Sequence, residues 1–141
     1  MLNGRLMTGV GRFALLGSFG ALLLFALAAA AGPQRPASLA NVEGGLYEID
    51  RLGPGARPRI CIADPMAFAS YEHRGKPCTR VVISDGPGGA VIHYTCPGGG
   101  FGRSTVKALT PRSLRVETQG IADNAPFQYV FQARRVGACG R

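Results

Sequence analysis

Histidine occurs only twice in the 141 residues, and 8 acidic residues stand against 16 basic ones. The four cysteines never form Cys-x-x-Cys. Each shortage removes a class of chemistry. Neither His73 nor His93 has a second His, Asp or Cys at ligand spacing, so no metal site is expected. Without Cys-x-x-Cys there is no dithiol redox motif and no structural zinc motif. Asp64, Glu72, Glu117 and Asp123 fit no two-carboxylate arrangement. Gly-x-Ser-x-Gly and His-Glu-x-x-His are both missing. No enzyme and no cofactor are expected from such a chain. No basic cluster is interleaved with aromatics either, so nucleic acid is not an expected partner.

One stretch, "TCPGGGFGRST", invites comparison with a phosphate-binding loop. That motif needs Gly, four residues, then Gly-Lys-Ser/Thr, with a strand before it and a helix after it. Here Pro97 stands where the first Gly belongs and Arg103 replaces the Lys. The following "STVKALT" alternates and is β-branched, so a strand comes next and no helix N-terminus receives an anion. The glycines read as a turn.

What the chain does have begins with an export signal. "MLNGRLMTGVGR" carries Arg5 and Arg12 and no acid, an apolar run covers residues 13–31, and Ala29, Ala30 and Ala31 close it. That order describes a secretory signal peptide over residues 1–31, cleaved after Ala31. No cysteine lies at the junction for a lipid anchor, and the two arginines are too far apart for a twin-arginine signal. The alternative is an uncleaved anchor, because residues 13–31 just reach across a bilayer core of about 30 Å. On the first reading the membrane is met only through the signal segment before cleavage. Residues 32–43 follow as a leader without periodicity, expected to be flexible, and residues 44–141 form one domain. Losing Arg5 and Arg12 lowers the formal net charge from +8 to +6. The remaining basic residues are scattered, which would suit an anionic envelope component without specifying one.

The domain reads as a row of strands. "LYEIDRL" and "RICIA" are the first two. Asp64 as N-cap and Pro65 at the first position then open a single short helix over "PMAFASYEH". "CTRVVIS", "AVIHYTC", "GRSTVKALT", "SLRVETQGI" and "PFQYVFQARRV" follow, separated by "DGPGG", "PGGGF", "PR" and "ADNA". Such short spacers force antiparallel neighbours. The expectation is a mainly β fold: an antiparallel meander of about seven strands, curled or barrel-like, with one short helix and two disulfides.

The disulfides follow from register. Centring "DGPGG" sets Ser84 opposite Ala90, so opposed residue numbers sum to 174, as 78 and 96 do. Cys78 and Cys96 then face each other with Cβ atoms about 4.5–5.5 Å apart, within reach of a bridge. Val82 faces Ile92 on the same side. Thr79–Thr95, Val81–His93 and Ile83–Val91 face each other on the other side. Cys61 and Cys139 remain to pair, closing nearly the whole domain, a loop length associated with about 4–5 kcal/mol in the chain-entropy treatment.

Phe127, Tyr129 and Phe131 share one face of the last strand and are the candidate ligand-facing residues. They line either a filled core or a small apolar cavity for a lipophilic ligand. His73, at the helix exit, is expected in solvent, and His93, mid-strand, half-buried.

Four features together resemble the domain of unknown function 3617 family of exported bacterial proteins. They are "GLYEI", "RICIADP", the internal pair Cys78 and Cys96, and the terminal "RRVGAC". The match runs from about Gly44 to Cys139, with Tyr47 where that family more often has Trp. The resemblance implies a Gram-negative envelope setting and periplasmic residence, and it carries no activity to transfer. Three functional readings are left. One is a non-enzymatic binding or structural β domain of the periplasm. Another is a carrier of a small apolar or lipid-like ligand in a β-barrel-like cavity. The last is an enzyme whose site the sequence does not reveal.

Overall fold

The computed structural model describes residues 35–140. The segment read as a signal peptide, and the first residues of the leader, lie outside the described residues. Among those described, no helix is long and apolar enough to cross a membrane.

The chain builds seven strands: β1 (Gly45–Asp50), β2 (Arg59–Ile62), β3 (Thr79–Gly86), β4 (Gly89–Thr95), β5 (Phe101–Thr110), β6 (Ser113–Ala122) and β7 (Ala125–Gly137). All pairings are antiparallel. They form one open sheet in the order β2-β1-β7-β6-β5-β4-β3. From β3 to β7 the sheet is a meander in chain order, and the β1–β2 hairpin joins it through β1 beside β7. Because β2 and β3 are the two edges, the sheet does not close into a barrel.

Consecutive in sequence, β2 and β3 lie at opposite edges of the sheet, and the sheet curls enough that Asp64 and Met66, just past β2, line one pocket with Cys78, Thr79 and Arg80 at the start of β3. Pro65–His73 connects the two edges as 3-10 turns, broken at Ser70 (φ −112°, ψ 35°). The Asp64 carboxylate accepts the Met66 amide at 3.1 Å and starts the first turn. The Ser104 hydroxyl donates to the Ala69 carbonyl at 2.6 Å and holds the segment to the sheet. The Arg80 guanidinium donates to the Ser70 hydroxyl at 2.9 and 3.1 Å.

The helix covers the inner face of the sheet. Phe68, Met66 and Tyr71 pack against Tyr47, Ile49, Ile92, Val106, Leu114, Val116 and Phe131, all buried. The strands alternate as a half-buried sheet requires, most plainly in β4 and β5. The inner face is a filled core.

Both disulfides form: Cys78–Cys96 with Cα atoms 4.1 Å apart, and Cys61–Cys139 with Cα atoms 5.4 Å apart. The hairpin that carries the first is not centred as the sequence suggests. Its turn is Pro87-Gly88, with Gly86 opposite Gly89, Asp85 opposite Ala90 and Ser84 opposite Val91. A bulge between Val82 and Ser84 absorbs one residue, so Ile83 does not pair with Val91. Past the bulge the pairs Val82–Ile92, Val81–His93 and Thr79–Thr95 stand as expected. The extra residue cancels the one-residue displacement of the turn before the cysteines are reached.

The leader also differs from expectation, since its described part is packed rather than flexible. Ala37–Leu39 forms a 3-10 turn, with Leu39 at 0% exposure and Val42 at 3%. The Val42 amide donates to the Leu39 carbonyl at 3.1 Å, a further tight turn, and both side chains join the core. The Asp85 carboxylate accepts the Ala37 and Ser38 amides at 2.6 and 3.2 Å. Beyond the turn, the Glu43 amide donates to the Pro111 carbonyl at 3.1 Å.

Candidate functional site

Register places two rows of side chains beside each other on the outer face. His93, Arg103, Gln119 and Gln128 lie directly opposite one another across β4, β5, β6 and β7. Two residues away along each strand, about 7 Å, runs a second row of Thr95, Phe101, Ile121 and Pro126. One wall is polar and the other mostly apolar. The backbone of the row between them, Tyr94, Gly102, Gly120 and Phe127, floors a trough about 14 Å long across three inter-strand steps.

A Cβ on Gly102 would lie 2.5 Å from the Tyr94 hydroxyl and 2.7 Å from the Gln119 carbonyl oxygen, and one on Gly120 would lie 2.7 Å from the Gly102 Cα and collide with the Phe101 carbonyl. The glycines therefore let the two strands and Tyr94 pack closely on the inner side, and because the whole row points inward it shows only backbone to the cleft. The resulting cleft is open and has a volume of about 930 Å³. No carboxylate lines it. Among the described residues Arg103 forms no ion pair, whereas Glu117, one row further along the sheet, is held by Arg115 at 3.2 Å. Phe101 is 51% exposed.

Beneath the floor lies an aromatic cluster. His73 and Tyr94 have ring centroids 5.5 Å apart, His73 and Phe127 6.0 Å, Phe127 and Tyr129 5.9 Å, and Tyr129 and Phe131 6.1 Å. Of the three sequence candidates, Phe131 is core: it is fully buried and sits 4.6 Å from Tyr71. Tyr129 is half-buried. Its hydroxyl donates to a Glu72 carboxylate oxygen at 2.6 Å, and the Arg51 guanidinium lies 4.2 Å above its ring. Burial first, then the hydrogen bond to Glu72, pushes its pKa well above the ordinary 10.0. Phe127 alone reaches the cleft, at its floor. The three do not line one cavity.

The two histidines exchange the places expected of them. His73 is 4% exposed, with Nδ1 3.3 Å from the Tyr94 hydroxyl and Nε2 buried without a hydrogen-bond partner. It lies under the glycine loop, where a Cβ on Gly100 would collide with the imidazole. Gly98 and Gly99 turn the loop with φ of 88° and 94°, and the chain then enters β5 rather than a helix. The glycines therefore serve the turn and seat His73. His93 is exposed on the outer face and makes no side-chain hydrogen bond among the described residues. Nor does any group of three or more His, Cys, Asp or Glu stand where it could hold a metal ion, among the described residues.

Sequence reasoning missed most of the cleft. Arg103 entered it only through the phosphate-loop comparison, and Phe101, Gln119, Ile121, Pro126 and Gln128 not at all. A signal was present in "ADNA". Asp123 and Asn124 have φ of 48° and 62°, a two-residue primed turn that sets Ala122 opposite Ala125 and so fixes Ile121–Pro126 and Gln119–Gln128. Comparison of the chain with protein-family models, curated proteins and solved structures found no match.

Proposed function

We propose that this chain is a non-enzymatic binding domain of the periplasm that engages an apolar ligand through its outer-face cleft. The single observation that carries the reading is the apolar wall of Phe101, Ile121 and Pro126 above a bare backbone floor. Concave sites with apolar walls and a few placed polar groups are the usual form of small-molecule sites. The filled inner face argues for recognition on the outer face instead of in an enclosed barrel cavity. The export signal, the two disulfides and the resemblance to exported bacterial proteins support the periplasmic setting.

The test is titration of the oxidised domain with the neutral apolar dye N-phenylnaphthylamine. The expected result is a saturable fluorescence rise that Ile121→Glu abolishes while its thermal unfolding stays cooperative. No saturable rise in the parent, or an undiminished one in folded Ile121→Glu, overturns the reading.

A further inference from the structure

Resting on that reading, we infer that the cleft selects a facially amphiphilic monoanion: a rigid apolar body carrying hydroxyls and one carboxylate along a single edge. The two walls carry the inference. A head-to-tail amphiphile lying in the trough would press its hydrocarbon chain along His93, Arg103, Gln119 and Gln128 for the whole length of the polar row. Those groups would lose water and gain no partner, which costs binding energy. A ligand polar along one edge and apolar along the other satisfies both walls at once. Its hydrocarbon edge packs on Phe101, Ile121 and Pro126, while its hydroxyls meet Gln119, Gln128 and His93.

Charge sets the anion. Arg103 stands second in the polar row with no ion pair among the described residues and no carboxylate in the cleft lining. A guanidinium forks onto a carboxylate with two parallel hydrogen bonds. One arginine matches one negative charge. Glu117, the acid of the adjoining row, is already held by Arg115 at 3.2 Å. Asp123 lies at the β6–β7 turn, beyond the apolar wall and away from Arg103.

Cholate serves as the probe, with dodecanoate as the head-to-tail comparison, both below their micellar concentrations. The expected result is competitive displacement of N-phenylnaphthylamine by cholate and weaker displacement by dodecanoate. Arg103→Ala should weaken cholate about tenfold or more, the scale of a lost hydrogen bond to a charged group, and weaken the neutral dye by a much smaller factor. Gln119→Ala should weaken cholate by a smaller factor. Dye binding without displacement by cholate overturns this inference and leaves the apolar cleft standing. So does dodecanoate binding as tightly as cholate, or Arg103→Ala binding cholate like the parent. Absence of dye binding overturns the cleft itself.

Discussion

Replacing Phe131 with Ala asks whether the inner face is packed or hollow. The ring is at 0% exposure, with centroids 4.6 Å from Tyr71, 6.1 Å from Tyr129 and 6.3 Å from Phe68, and it lies opposite Val116 on β6. A buried aromatic removes about 150–250 Å² from water, or roughly 4–6 kcal/mol at ~25 cal/mol per Å². Alanine keeps a small part of that, and a void held open by the sheet and the helix adds to the cost. The expected loss is about 3–5 kcal/mol, out of the 5–15 kcal/mol or so typical of a domain. Urea unfolding of the oxidised protein measures it. With m near 1–3 kcal/mol/M, the midpoint should fall by at least about 1 M. Phe101→Ala, half-exposed on the outer face, should change it by less than about 1 kcal/mol. A loss below about 1.5 kcal/mol for Phe131→Ala would mean that the inner face has room to spare, and the filled-core account would be wrong.

Gly100→Ala should destabilise by about 1–3 kcal/mol through collision with the His73 ring, and His73→Ala should remove that extra cost in a double-mutant cycle. Asp85→Asn should loosen the packed leader, seen as faster amide exchange at Ala37 and Ser38 with the rest of the sheet unchanged. Donation from Ser38, to which the Ala37 amide adds, holds the Asp85 pKa below the ordinary 3.8. The cap therefore contributes its stability above the unfolded carboxylate pKa and loses it as pH falls through the lower folded value. In the parent, protection of the same amides relative to their intrinsic exchange should fall only at pH below about 4. Burial raises the pKa values of Tyr47, Tyr94 and Tyr129 above 10.0 in the fold. Tyrosinate absorbance should show them resisting ionisation past pH 10 in the native protein and titrating normally in denaturant. Their contribution is full below the unfolded pKa and is lost as pH rises through the folded values.

Strand positions were legible because β-branched and aromatic runs end at Gly, Pro, Asn and Asp in an unambiguous rhythm. Register was legible only in part. The expected Cys78–Cys96 bridge forms, yet its hairpin contains a bulge at Ile83 that alternation cannot reveal, since one inserted residue leaves the composition of both strands unchanged. The seat of His73 was illegible for a different reason. It is made by Gly100 and Tyr94, more than twenty positions away, and nothing within "YEHRGK" marks burial. The burial of Leu39 and Val42 was illegible, because two apolar residues in a leader without periodicity mark no element. The apolar wall needed three strands in correct register before Phe101, Ile121 and Pro126 became neighbours. Only the turns at Pro111-Arg112 and Asp123-Asn124 could have supplied that, together with the bulge between Ala108 and Thr110.

The most direct test of an outer-face site above a filled core is a map of backbone amide shifts while isotope-labelled, oxidised protein is titrated with N-phenylnaphthylamine. The account predicts saturating shifts at Thr95, Phe101, Gly102, Arg103, Gly120 and Ile121, with Leu114, Val116 and Phe131 unmoved. Shifts centred on Leu114, Val116 and Phe131, with the amides of the cleft unmoved, would contradict it.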